Sequence, residues 1–393
     1  MISQPFCFVQ GNCGRDGGSV VLEFFRRKKL DYKTVGVDSE KKEAGLDRLL
    51  DYVTRTFAFN SCKPLLPIGY FANVIDLRPL GFSVGIAFST DGVGTKLLVA
   101  QEMGRFDTVG IDCVAMNVND ILCVGATPIS MVDYIAVSEA DEQLLSELGK
   151  GLYRGCELAG IHLAGGELAQ VAELLSKHGK GVSFDVVGTA IGTVDPNRVL
   201  IGQDLAEGDQ LIGLESTGLH SNGFTLARKV LFETAKLSVH HRPSDLNGSL
   251  GDELLKPTRI YVREVLELMG IVKVKAMFHI TGGGLFNLVR TAKPVGFHLE
   301  HFPTPPPLFS FLQNAGQIPI EEMFRVFNMG IGFILAVAGD DAFSKIVKVV
   351  EQAGYKAHKL GHVTDDATRT IHLVPYGLVG RSGRFFRKEE TFD

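Results

Sequence analysis

The chain has 393 residues, 45% of them hydrophobic and 22% charged, with a net charge of −5 at neutral pH. That length suits two domains of ordinary size and a large core needing neither disulfides nor metal. The negative balance excludes a general nucleic-acid binder, and no apolar run reaches the roughly 18 residues of a membrane span.

The first 30 residues join a glycine-rich Gly11 to Gly14 and a short apolar run to Arg26-Arg27-Lys28-Lys29. A signal peptide has its positive charge before the apolar run, so residues 1–30 read as an atypical extension. Residues 38–57 have helical spacing through Ala44, Leu46, Leu49, Leu50 and Val53. After Pro64 and Pro67, residues 82–88 alternate as a strand, and a helix is predicted from Thr95 to Met103. Residues 108–124 form a helix and Ile129 to Val137 a strand. A helix over 141–159 ends at Gly160, and Ile161 to Ala164 is a short strand before Gly165-Gly166-Glu167. Phe184 to Val194 is the next strand, and Asp195-Pro196-Asn197 opens a boundary region near 196–205.

The second half repeats the grammar of the first. Strand Leu211 to Leu214 leads through Ser216 to Gly223 into a helix from Phe224. Strand Ala276 to Ile280 leads through Thr281-Gly282-Gly283-Gly284 into a helix from Leu285. Pro303 to Pro307 is a stiff connection, and Phe333 to Val337 is a strand before a final helix and strand. Strands and helices in both halves predict an α+β class of mixed α/β layers. The six cysteines, Cys7, Cys13, Cys62, Cys113, Cys123 and Cys156, contain no C-x-x-C pair. They read as reduced thiols of a cytoplasmic protein, with Cys113 and Cys123 as small core residues.

The chemistry concentrates at strand-to-helix turns. Ser89-Thr90-Asp91-Gly92-Val93-Gly94-Thr95-Lys96 sets a carboxylate, two glycines, a hydroxyl and an ammonium at a helix start, where open N–H groups favour phosphate. It is neither a P-loop nor a dinucleotide fingerprint, because Lys96 follows Thr95 and no third glycine is present. Asp91 is placed to hold a metal ion against phosphate. Asn117, Asn119 and Asp120 lie within an apolar helix, costly to bury unless paired, and Asp120 with Asp91 suits Mg²⁺. Glu167, after its glycine pair, is a third candidate ligand, although a glutamate there is often only a helix-dipole partner. His220 and His279 stand at glycine turns as proton-transfer candidates, against the commoner structural role of a loop histidine. Gly282, Gly283 and Gly284 open backbone N–H groups to an anion, and Arg259 suits a phosphate clamp.

In order along the chain, these segments resemble the phosphoribosylformylglycinamidine cyclo-ligase family, also called aminoimidazole ribonucleotide synthetases. The matching segments include Gly36-Val37-Asp38, Ser89 to Lys96, Thr108 to Asp112, Asn119-Asp120, Gly165 to Glu167 and His220-Ser221-Asn222-Gly223. They continue through Pro257 to Tyr261, His279 to Gly284, and Phe327-Asn328 with Gly330 and Gly332. The resemblance covers residues 32 to about 365. It implies an N-terminal ATP- and metal-binding and dimerisation domain over 31–198, a C-terminal domain over 199–372 and a tail over 373–393. It also implies a homodimer whose N-terminal sheets pair into a barrel.

The implied reaction is ATP-dependent closure of formylglycinamidine ribonucleotide to aminoimidazole ribonucleotide through an iminophosphate, in purine biosynthesis. The implied roles are Asp91, Asp120 and Glu167 at Mg²⁺ and His220, His279 and Asp91 in catalysis. Gly92, Gly94, Thr95, Lys96 and Gly282 to Gly284 would bind the ATP phosphates, and Asn222 and Arg259 the substrate. The chain departs from the family where Leu168 to Glu173 replaces Thr-Ala-Glu-Met-Pro-Gly, and where a glycine-rich run is thinned to Ile68 to Asn73. A lysine expected in the early helix is not evident. Rival readings are a superfamily relative, such as a thiamine-monophosphate kinase or selenophosphate synthetase, or a non-catalytic ATP-binding paralogue. The kinase would lack the Pro257 to Tyr261 and His279 to Gly284 segments, and the selenophosphate enzyme would want a lysine beside Cys13.

Overall fold

Alternation along Phe184 to Val194 decides the first layer: Val186, Gly188, Ala190 and Gly192 are buried while Asp185 and Ile191 face outward. In a computed structural model, described over residues 39–175, 181–339 and 341–388, this segment is the centre of a five-stranded sheet. The expected extension over residues 1–30 and the Gly36-Val37-Asp38 segment lie outside the described residues. The chain opens with α1 (Ser39–Arg55) and continues through β1 (Asn73–Asp76), β2 (Gly85–Gly92), α2 (Leu97–Met103) and α3 (Asp107–Cys123). It proceeds through β3 (Thr127–Val137), α4 (Glu142–Ala159), β4 (His162–Gln170) and β5 (Phe184–Val194). The strand order is β1-β2-β5-β3-β4, antiparallel except for the β3–β4 edge pair.

The ends of α4 follow from its sequence. Asp141 accepts from the Leu144 amide at 2.7 Å, capping the first turn, and Gly160 takes the left-handed conformation (φ 70°) that closes the last. Helix α3 is apolar nearly all round, and the structure buries it on all sides between the sheet, α4 and the second half of the chain. Its contact with α4 is backbone-close. A methyl group on Gly151 would collide with the Asp107 carbonyl, and one on Gly110 would lie 2.6 Å from the Leu152 nitrogen.

The second half begins with β6 (Gln210–Glu215), α5 (Phe224–Arg228), α6 (Leu250–Leu254), α7 (Val262–Ile271), β7 (Lys273–His279) and β8 (Gly296–Leu299). It continues through α8 (Pro307–Gly316), α9 (Ile320–Val326), β9 (Ile331–Ala338) and α10 (Ala342–Gln352) to β10 (Ala357–Thr364). Strands β11 (Ile371–Leu373), β12 (Leu378–Arg381) and β13 (Arg384–Arg387) follow. These strands form an eight-stranded sheet ordered β13-β12-β11-β8-β10-β6-β9-β7. Its core is aromatic, with Phe278, Phe297, Phe324, Phe327 and Phe333 essentially inaccessible. Cys113 and Cys123 are buried in the common core, and burial pushes both thiols up, away from the reactive thiolate.

Three expectations are corrected. Strand β2 does not stop before the Ser89 to Lys96 motif; it pairs with β5 as far as Gly92 opposite Val187, so Asp91 stands on a strand. Strand β4 likewise runs through Gly165-Gly166-Glu167, parallel to β3, instead of turning there. The segment read as a tail from residue 373 carries β12 and β13, a hairpin that extends the second sheet.

Candidate active site

The Gly94 to Lys96 stretch is a single 3₁₀ turn that feeds α2, and it carries the Lys96 side chain into the interior. Lys96 has no exposed surface. Its Nζ donates to the carbonyls of His220 (3.0 Å) and Lys256 (2.7 Å) and stands 2.8 Å from Asp112 Oδ2. Burial pulls the ammonium pKa down, and the Asp112 carboxylate opposes that shift. The other oxygen, Asp112 Oδ1, accepts from the Thr258 amide (2.7 Å), the Thr258 hydroxyl (2.6 Å) and the Ser221 hydroxyl (3.2 Å). Lys96 is therefore no phosphate ligand here: its donors are spent on a dry junction that ties the first half of the chain to the second.

His220 is also corrected. It is 1% exposed, and its Nε2 accepts from the amides of Thr217 (3.3 Å) and Arg259 (3.5 Å), which leaves the buried Nδ1 without a partner. Burial, with His279, Lys96 and Arg259 nearby, holds its pKa well below the ordinary histidine value. The ring is a neutral structural group. It occupies space that Gly332 leaves by lacking a side chain, since a Cβ there would strike the His220 ring and the Tyr261 hydroxyl.

His279 ends β7 and is inaccessible, but it is joined to a more exposed acid. Its Nδ1 lies 2.8 Å from Asp120 Oδ1, and Asp120 keeps 15% of its side chain open to solvent. Asn119 sets the ring's state. Its Oδ1 accepts from the Tyr261 amide (3.1 Å), so its Nδ2 must face the Arg259 carbonyl (2.9 Å) and His279 Nε2 (3.4 Å). With a donor at Nε2, the His279 proton belongs on Nδ1 and is given to Asp120.

The other candidates lie along the preceding turns of α3 and the segments packed on them. One turn earlier on α3, Asn117 donates to the Asp91 carbonyl at 3.1 Å, and its buried Oδ1 has no donor. Asp91 Oδ1 accepts from the Gly92 amide at 2.8 Å. Asn222 lies 4.0 Å from Met116 on the same helix, and a Cβ on Gly282 would stand 3.2 Å from its Oδ1. Gly282 and Gly283 are exposed, with Gly283 left-handed (φ 97°), so their backbone can meet an anion closely. Gly94, also left-handed (φ 73°) and exposed, precedes Thr95, whose hydroxyl lies 3.2 Å from that of Thr225 at the start of α5.

Two candidates are placed elsewhere. Arg259 stacks its guanidinium 4.0 Å over the Tyr355 ring and donates Nε to the Glu215 carbonyl at 3.1 Å, so it braces the fold instead of presenting an open fork. Glu167 lies on exposed β4, opposite Tyr134 on the outward face, while Asp91 is separated from it by β5 and β3. Three strand spacings, about 14 Å, are too many for one ion. Among the described residues no three His, Cys, Asp or Glu side chains form a ready metal site, so the Asp91–Asp120–Glu167 set is not assembled within one chain. Sequence reasoning gave no role to Asp112, Ser221 or Thr258. Their signal was present, since each sits in a segment matching the family, but a buried partner is invisible without the fold.

Comparison with known proteins agrees with this architecture. Residues 72–194 match the AIR synthase related protein N-terminal domain, and residues 206–374 its C-terminal domain. The phosphoribosylformylglycinamidine cyclo-ligase of Methanothermobacter thermautotrophicus is 44% identical over 86% of this chain and 95% of its own length. That of Bacillus pumilus is 42% identical over 84% and 95%. In fold, the thiamine-monophosphate kinase of Stenotrophomonas maltophilia aligns with a TM-score of 0.54 at 19% identity, covering 81% of this chain and 93% of its own. A complex of AaThiL with AMPPCP and TMP aligns with a TM-score of 0.56 at 14% identity, covering 82% and 92%. With both domain models matched in order and such identity over nearly whole relatives, the chain belongs to the phosphoribosylformylglycinamidine cyclo-ligase family of AIR synthase related proteins.

Proposed function

We propose that the Asp91–Asn117–Asp120–Asn222 cluster, walled by the Gly282–Gly283 turn, is where this ligase closes the imidazole ring of aminoimidazole ribonucleotide at the expense of ATP. The observation that carries this reading is the Asp120–His279 contact of 2.8 Å, in which Asp120 keeps 15% of its side chain accessible. An amide oxygen is a poor leaving group, so ATP converts it to a phosphate ester, giving an iminophosphate. The amidine nitrogen then attacks the same carbon, and the C–O bond breaks to release phosphate. Such chemistry asks for positioning and charge neutralisation more than for covalent help.

The donor set fits a hard divalent cation: Asp91 and Asp120 offer carboxylate oxygens and Asn117 an amide oxygen that lacks a donor. Mg²⁺, when bound, would lower the negative charge of the ATP phosphates. The backbone of Gly282 and Gly283 would receive phosphate oxygens, and Asn222 would orient the substrate beside them. His279 touches no open space, so it acts through Asp120 by fixing the direction of that carboxylate. Asp120 is then the group within reach of the amidine proton. The exposed apolar residues Ile129, Val132, Tyr134 and Ile191 on β3 and β5 support a homodimer joined through that sheet. The AMPPCP bound by the structural neighbour supports a nucleotide in this fold.

The test supplies purified protein with Mg-ATP and formylglycinamidine ribonucleotide and follows aminoimidazole ribonucleotide and ADP together. Equimolar formation of both is expected. Nucleotide binding without product would overturn the reading in favour of a non-catalytic paralogue, and phosphorylation of thiamine monophosphate would favour the kinase alternative.

A further inference from the structure

Strands β8, β10 and β11 place three imidazoles in one row across the second sheet, far along that sheet from β7 and His279. His298 is directly opposite His362 on one side and His372 on the other. The ring centroids are 5.2 Å apart for His298–His362 and 5.7 Å for His298–His372, with planes tilted by 37° and 44°. All three rings are half-buried, on the face opposite the apolar residues Phe297, Leu299, Ile371 and Leu373. Among the described residues none of the three rings has a hydrogen-bond partner. The nearest carboxylate is Glu300, two residues beyond His298 on the same face, with Oε1 3.9 Å from His362 Nδ1.

Sheet packing alone does not call for this row. Imidazole nitrogens are polar, and across this row the rings meet one another instead of a hydrogen-bond partner. A ligand that takes imidazole nitrogen satisfies them. At a metal–nitrogen distance of about 2.1 Å and tetrahedral angles, two imidazoles sharing one ion have centroids roughly 5 Å apart. The His298–His362 pair is nearly there already.

We propose that His298, His362 and Glu300 form a surface site for a borderline divalent transition ion such as Zn²⁺, Co²⁺ or Ni²⁺, with water completing its coordination. Two imidazoles and a carboxylate select such ions over Mg²⁺, which prefers an all-oxygen shell. No three such groups stand at closed coordination distance among the described residues, so the side chains draw together by rotation on binding. Glu300, 47% exposed, has room to swing, and His362 is 37% exposed. His372 packs on the far side of His298 and keeps that ring facing its partner. The ion would cross-link β8 to β10, two strands joined by only a short run of pairs from Gly296 to Leu299.

The experiment uses the full chain stripped with EDTA and held in excess Mg²⁺, so that the carboxylates of the active site are already satisfied. Co²⁺ is titrated in while its visible absorption is recorded, and Zn²⁺ is then added to displace it. One equivalent with a low-symmetry cobalt spectrum is expected in the wild type. His298→Asn and His362→Asn should each weaken binding by more than about tenfold. His358→Asn, also on β10 but bound to Glu215 at 3.0 Å, should leave binding unchanged. Absence of a cobalt spectrum, or equal affinity in wild type and both row variants, would overturn the proposal. If either histidine variant fails to fold, Glu300→Gln on the exposed edge carries the same reading. A rise in melting temperature with Zn²⁺ in the wild type, lost in that variant, gives a second readout.

Discussion

At the scale of single residues, the same polar inventory divides into groups that build the junction and groups that face the substrate. Lys96 and Asp112 belong to the first. Removing one partner leaves a buried charge uncompensated, so Lys96→Met or Asp112→Asn should cost about 3–5 kcal/mol in urea unfolding. A fall below 1 kcal/mol, roughly the worth of an exposed pair, would contradict the dry junction. Asp91, half-buried at the end of β2, belongs to the second group. Asp91→Asn should lower turnover on the order of 10²-fold with little change in melting temperature, and a large loss of stability would recast it as structural.

His220 makes a prediction about pH. Its folded pKa is depressed, so below the ordinary histidine value the unfolded chain takes up a proton that the folded chain refuses. Stability from this group is therefore full above about pH 6.5 and falls as the pH drops, by at most about 1.4 kcal/mol per unit. Denaturant midpoints measured between neutral pH and pH 5 should show this slope in the wild type and a shallower one in His220→Asn. An unchanged slope would mean that His220 is not the group responsible. The sequence made His220 and His279 look equivalent, each at a strand end before glycines. What separates them is the partner each meets: two backbone amides for one, a half-open carboxylate for the other.

At the scale of elements, α3 decides the architecture. It packs against α4 through Gly110, Gly151 and Gly155 so closely that backbone meets backbone. Gly151→Ala would push the two helices apart and should destabilise the chain by about 1–3 kcal/mol, the range for overpacking, despite alanine's better helix propensity. A neutral or stabilising effect in thermal melts would show that the helices can separate without loss. Most elements could be read from the sequence, because periodicity and caps report local structure: α4 has Asp141 and Gly160 at its ends, and β5 alternates along its length. The failures came where pairing overrides local signals. Gly165-Gly166 looks like a turn, yet its missing side chains let β4 lie flat beside β3, where any Cβ on Gly166 would meet the Asp133 carboxylate. Likewise Gly92 remains in β2 because β5 has residues to pair with it.

At the scale of the molecule, the two halves share an interior, and α3 touches β7 and α7 across their boundary. This is why the motifs, scattered over about half of the sequence, converge on one cluster. The convergence was visible only as resemblance, since no spacing rule links Asp120 to His279. The remaining unmet surface is the outward face of the first sheet. Val132 and Tyr134 are 45% and 44% exposed there, beside Ile191. Scattered apolar residues need no partner, but a contiguous sheet face does. If a second copy covers it, Val132→Asp places a carboxylate in a dry interface while costing an isolated chain almost nothing. Light scattering coupled to size exclusion should then show a dimer for the wild type and a monomer for Val132→Asp, with each chain's far-ultraviolet circular dichroism unchanged. A wild-type monomer, or a variant that stays dimeric, would sink the interface. The variant also asks whether the partner matters for chemistry. Glu167 lies on that same outward face and cannot reach Asp91 within its own chain. Catalytic loss in a well-folded monomeric variant would therefore mean that pairing of the sheets completes or steadies the site, whereas full activity would place all the necessary groups in one chain.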